Sequence, residues 1–115
     1  MGKLTTHVLD TASGIPAAGM LVRLLNADTR KIIREAHTNA DGRCDGPLLE
    51  GKDLVQGKYV LAFSVGGYFQ TRGAEMANPP FLDVVEITFG IAEANAHYHV
   101  PLLVSPWAYS TYRGS

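Results

Sequence analysis

Apolar and polar residues alternate along most of this chain with a period of two, the pattern of strands that bury one face. Residues 4–10 place Leu4, Thr6 and Val8 on one side and Thr5, His7 and Leu9 on the other. Residues 20–25 are apolar except for Arg23, which predicts a central strand, and residues 32–38 expose Arg34 and Glu35 on one side. Tyr59, Leu61, Phe63 and Val65 point inward from a strand over 58–65, and Val85, Ile87, Phe89 and Ile91 from one over 84–91. Farther on, Ala96, Tyr98, Val100, Leu102 and Val104 oppose His97, His99, Pro101 and Leu103, so the two imidazoles share a side. Trp107, Tyr109, Thr111 and Tyr112 predict a last strand after Ser105-Pro106.

Between these runs stand turn residues: Gly14-Ile15-Pro16, Asn26 to Thr29, Asn39-Ala40-Asp41-Gly42, Gly66-Gly67 and Asn78-Pro79-Pro80. Residues 48–56 carry no period and read as a loop. A short helix over 68–76 is the only one predicted, weakened by Gly73. Seven or eight short strands at this spacing predict an all-β fold, an antiparallel β-sandwich forming one domain over residues 1–115.

Composition narrows the function. The chain of 115 residues is 46% hydrophobic and 18% charged, within the ordinary range for a globular domain. Its formal net charge of −1 lacks the basic excess that nucleic acid or an anionic membrane surface would require. No apolar run approaches the roughly 20 residues of a membrane helix, and the N-terminus enters a strand with no apolar signal segment. With Cys44 as the sole cysteine no internal disulfide forms, which fits a reducing compartment, and a cytoplasmic location is the expectation. Cys44 itself reads more readily as a small strand residue than as a catalytic thiol.

The chemistry-bearing residues favour acid–base catalysis. His97 and His99 stand about 7 Å apart on one strand face, and His7 or His37 could supply a third ligand, but the single remote cysteine leaves zinc ligation incomplete. No metal and no cofactor is expected. No Gly-rich phosphate loop and no serine in a nucleophile-elbow context is present. His7 interrupts a strand that otherwise buries itself, Arg43 leaves a tight turn, and Tyr112, Arg113 and Gly114 precede the last residue, Ser115.

Together these blocks acquire a specific resemblance. Thr6-His7-Val8-Leu9-Asp10-Thr11 with Gly14-Ile15-Pro16-Ala17, Gly42-Arg43, His97-Tyr98-His99-Val100-Pro101-Leu102-Leu103 and the closing Tyr112-Arg113-Gly114-Ser115 resemble the signature blocks of the 5-hydroxyisourate hydrolases, the transthyretin-related proteins of urate degradation. The similarity runs from the first strand to the last residue. The closing tetrapeptide separates the enzyme branch from transthyretin itself.

That resemblance implies a transthyretin-like sandwich of two four-stranded sheets with one short helix. It implies a homotetramer whose sites lie at the dimer–dimer interface. It further implies cofactor-free hydrolysis of 5-hydroxyisourate to 2-oxo-4-hydroxy-4-carboxy-5-ureidoimidazoline. On it, His7 and His99 form an acid–base pair, and Arg43 clamps substrate and stabilises charge on a carbonyl oxygen. Tyr112 orients the ring, and the carboxylate of Ser115 orders the surrounding network. Which histidine takes the proton from water stays open. The competing reading is a transthyretin-type small-molecule carrier without turnover, whose channel would need apolar walls in place of two histidines and an arginine.

Overall fold

The computed structural model describes Met1 to Gly114. Among these residues nine strands form two sheets. They are β1 (Lys3–Asp10), β2 (Ile15–Pro16), β3 (Leu21–Asn26), β4 (Ile32–His37), β5 (Leu49–Glu50), β6 (Gly57–Ser64), β7 (Val84–Ile91), β8 (His97–Val104) and β9 (Tyr109–Thr111). One sheet runs β2-β1-β8-β9, with β5 added beside the start of β1, and the other runs β4-β3-β6-β7. Their inner faces meet over a shared core that includes Leu4, Val8, Leu24, Leu61, Phe63 and Leu102, each fully buried. The alternation of β1 and β8 is kept: Leu4, Thr6, Val8 and Tyr98, Val100, Leu102 face inward.

The all-β sandwich holds, with one departure from an antiparallel arrangement. β1 and β8 run parallel, pairing Thr5 with His99 and His7 with Pro101. Parallel neighbours need a long connection between them, and here it is the rest of the sandwich. Paired residues project to the same side of a sheet, so Thr5, His7 and His99 share the outer face.

Other local departures have packing causes. Ile15–Pro16, expected as turn, caps the end of β1 as a two-residue edge strand, where the missing proline N–H costs little. The segment expected as a loop contains β5 and a 3-10 turn over Gly51–Asp53, because Leu48, Leu49 and Leu54 are buried and pull it onto the core. The helix α1 spans Val65–Thr71 and therefore takes in Gly66 and Gly67, read as breakers from the sequence. Gly66 serves close packing: a β-carbon there would stand 2.7 Å from Asp83 Oδ1. The helix ends earlier than expected, and Gly73 follows at a φ of 79° that glycine adopts without cost.

α1 is anchored to β1 by a buried polar cluster. Asp10 is 1% exposed. Its Oδ2 accepts from the Tyr68 hydroxyl at 2.8 Å, its Oδ1 from the Ser13 N–H at 2.9 Å, and Arg72 Nε lies 3.9 Å away. Burial, then the bond to Asp10, pushes the Tyr68 phenol up to about 12.

Candidate active site

The site grows from the outer face of β1 and β8 and from the loop laid across it. The turn 39–42 leads back over β1: the Val8 N–H donates to the Gly42 carbonyl at 2.8 Å, and His7 and Arg43 form an isolated antiparallel bridge. Gly42 sits at a φ of 77°, and a β-carbon on it would come within 2.3 Å of the Val8 carbonyl oxygen. Only glycine lets the loop lie this close, and that approach delivers Arg43 to the histidines. Asn39 braces the turn, its Oδ1 accepting from the N–H groups of Asp41 at 2.9 Å and Arg43 at 3.2 Å.

His7 Nε2 lies 2.8 Å from the Asp41 carbonyl oxygen. A carbonyl oxygen only accepts, so Nε2 carries the hydrogen and Nδ1 is the nitrogen free to exchange a proton. His99 Nδ1 lies 2.8 Å from Thr5 Oγ1. Burial first, then the positive charges of Arg43 and His7, hold the His99 imidazole below its ordinary pKa, which favours its neutral form. His99 and Arg43 line an open cleft of about 450 Å³ with Lys3, Thr5, Cys44 and Pro47. His7 stands at its edge, outside these walls but close enough for its charge to act on His99.

Arg113 and Gly114 are pinned beside this cleft. Gly114 bridges to His99, its N–H donating to the His99 carbonyl at 2.8 Å. Arg113 stacks on the ring of Tyr98 at 4.2 Å and donates to the His97 carbonyl at 3.1 Å. Tyr98 is fixed in turn, its hydroxyl accepting from the N–H groups of Ala92 and Glu93 at 3.0 and 2.9 Å.

Three of the residues singled out in the sequence thus meet: His7, Arg43 and His99. Within the chain Tyr112 does not join them. It is 61% exposed and lines a separate, mainly apolar groove with Ile87, Phe89 and Tyr98. Ser115 lies outside the described residues. His37 lines a different cavity beside α1, with Tyr68 and Arg72, so it cannot complete a ligand set with His97 and His99. Among the described residues no cluster of three or more His, Cys, Asp or Glu side chains could hold a metal ion. Cys44 does border the cleft, but burial, then Asp45, pushes its thiol up, which keeps it protonated and a poor nucleophile. Lys3 and Thr5 were not singled out. The signal for Thr5 was present, since it shares the outward side of its strand with His7.

A sandwich of two sheets, with a cationic, histidine-bearing cleft on the outer face of one, defines a transthyretin-like fold carrying a polar site. The chain belongs to the HIUase/Transthyretin family, whose sequence profile matches residues 4–114. It is 56% identical over 117 residues to the 5-hydroxyisourate hydrolase of Ralstonia nicotianae, covering 100% of each chain. Among solved structures it is similar to Klebsiella pneumoniae 5-hydroxyisourate hydrolase, with 35% identity, a TM-score of 0.84 and 100% of both chains covered. Sea bream transthyretin in complex with thyroxine shares the fold at a TM-score of 0.86 with 26% identity, covering 97% of this chain and 94% of the other.

Proposed function

We propose that this protein is a hydrolase of urate degradation that opens 5-hydroxyisourate with water. The observation that carries this reading is the cleft lined by Arg43 and His99 with His7 at its edge, in a chain 56% identical to a relative bearing that activity's name. A carrier of apolar ligands is poorly served by walls that include Lys3, Arg43 and His99.

The chemistry starts from His99, whose lowered pKa favours the neutral ring. Neutral His99 takes a proton from water as its oxygen attacks the ring carbonyl carbon, forming the C–O bond. The Arg43 guanidinium stabilises the negative charge that moves onto the carbonyl oxygen. The C–N bond then breaks, and a proton from Nδ1 of protonated His7 goes to the leaving nitrogen. No group outside the chain is needed for these transfers. Tyr112 and Ser115 enter the site in the assembled oligomer, as walls and orienting groups.

The assembly in this reading is a homotetramer with sites between dimers. Two of the sheet ends support it: β7 and β9 each close one end of a sheet, and Tyr109 and Tyr112 stand exposed at 47% and 61%. A cytoplasmic, single-domain enzyme completes the reading. The test is direct. Freshly generated 5-hydroxyisourate is followed by its ultraviolet absorbance with and without the protein, while light scattering gives the mass. Acceleration by a tetramer is the expected result, and an unchanged spontaneous rate would overturn the assignment.

A further inference from the structure

We infer that Thr5 is a positioning residue for the hydrolysis proposed above: its hydroxyl accepts from His99 Nδ1–H, fixing the tautomer whose Nε2 lone pair receives the proton of water. The inference rests on that reading of the cleft and adds to it a residue that acts through another.

The contact is specific. Thr5 Oγ1 and His99 Nδ1 are 2.8 Å apart, 94 positions from each other in sequence, and are brought together by the parallel pairing of β1 with β8. Among the described residues Nδ1 has this one partner and Nε2 has none, so Nε2 is the nitrogen available to a reactant. A hydroxyl can donate or accept, and the charges around the ring decide between the two. His7 and Lys3 come from β1 and Arg43 from the loop over it, so the surroundings are cationic; Cys44 adds a protonated thiol. An imidazole lowers its energy by turning its lone pair toward cations and its N–H toward a neutral oxygen. Thr5 accepting from Nδ1–H meets both conditions. The opposite tautomer would direct an N–H at the positive cleft and leave no lone pair for water.

Thr6, the next residue, donates to the Val100 carbonyl at 2.7 Å from the buried face and does not touch the ring. It supplies the internal control. Thr5 is only half-buried on the outer face, and valine matches its shape and suits a strand.

Thr5→Val should lower kcat by about 10- to 100-fold, the scale known for removing the outer hydrogen-bond partner of a metal-ligating histidine, with KM within about twofold. It should also shift the acidic limb of the pH–rate profile, and Thr5→Ser should restore both. In the free protein, ¹⁵N NMR should show His99 protonated at Nδ1 in the wild type and a mixed tautomer in Thr5→Val. Unchanged kcat and pH profile in Thr5→Val, failure of Thr5→Ser to recover, or a wild-type ring protonated at Nε2 would each overturn the inference. If the wild type does not hydrolyse 5-hydroxyisourate, the functional reading fails, while the NMR comparison still decides whether Thr5 sets the tautomer.

Discussion

The imidazole of His99 lies so close against Gly114 that a β-carbon there would stand 2.6 Å from His99 Cδ2. No side chain fits without moving the ring, so glycine at this point is required by its neighbour across the bridge. Gly114→Ala should therefore turn His99 away from its Thr5 contact while leaving the sandwich intact. A displacement near 1 Å costs about 100-fold in rate. Turnover measured alongside circular dichroism checks this, and a folded, fully active Ala variant would show that the ring has slack.

Replacing either His7 or His99 with Asn should reduce kcat by about 10²- to 10⁴-fold, the range for loss of a general acid or base. Both rings stand on the outer face and outside the core, so the melting temperature should change little. EDTA should leave the wild-type rate unchanged, since each proposed transfer uses a side chain. A folded variant with near wild-type turnover would remove that histidine from the chemistry.

The acidic limb of the kcat/KM profile should lie below the ordinary histidine value of about 6.5, because burial, Arg43 and His7 all depress the His99 pKa. Removing the cation in Arg43→Gln should move that limb upward. Arg43→Lys should keep the limb near its wild-type position yet remain slow, having charge without the planar fork. The same depression links to stability. The contribution of His99 is fully present above its unfolded pKa and is lost as pH falls through the folded one.

Tyr68→Phe removes the hydroxyl that donates to Asp10 Oδ2 and should destabilise the fold by about 1–3 kcal/mol in urea titrations. Turnover should persist, since this cluster lies outside the cleft. Tyr68 is raised from 10.0 to about 12, so its stabilising effect is complete below pH 10 and disappears as pH climbs through about 12. Wild type minus Phe variant, compared across that window, isolates it. A constant difference would disprove the linkage.

Deleting Arg113, Gly114 and Ser115 removes the stack on Tyr98 and the bond to the His99 carbonyl. The expected result is a strong loss of turnover with β-rich circular dichroism retained. A charge placed on the β7 or β9 edge should yield monomers that are folded and inactive. Active monomers, seen by light scattering during the assay, would place a complete site within one subunit.

Much of this was legible in local pattern. The period of two in β1 and β8 split each strand into two faces and put His7 opposite Leu4, Thr6 and Val8 and His99 opposite Tyr98, Val100 and Leu102, because one-sided burial leaves a mark in every second residue. The Gly42 turn likewise announced where Arg43 would leave the chain. The long-range pairings stayed hidden. Nothing near Thr5 announces His99 as its partner, since a strand's neighbour is chosen by the whole fold. Gly66 and Gly67, read as turn residues ending a strand, misled for a related reason: a glycine that ends a strand and one, like Gly66, that lets a helix approach Asp83 are the same letter. The segment around Leu48 to Leu54 looked like a loop because its anchors are spaced irregularly, and burial shows only once the core is built.

The parallel ladder between β1 and β8 also has a consequence in time. A growing chain emerges from its N-terminus, so β1 is made first and must wait for almost the entire polypeptide before its long parallel partner β8 exists. Contacts of such long sequence separation form slowly because closing the loop costs entropy before any pairing repays it. Until β8 is out, Thr5 faces no imidazole and His7 has no second ring beside it, so a nascent or prematurely ended chain carries half a site. Synthesis interrupted before His99 leaves inert protein whose β1 lacks its parallel partner, a substrate for proteolysis and not a slow enzyme.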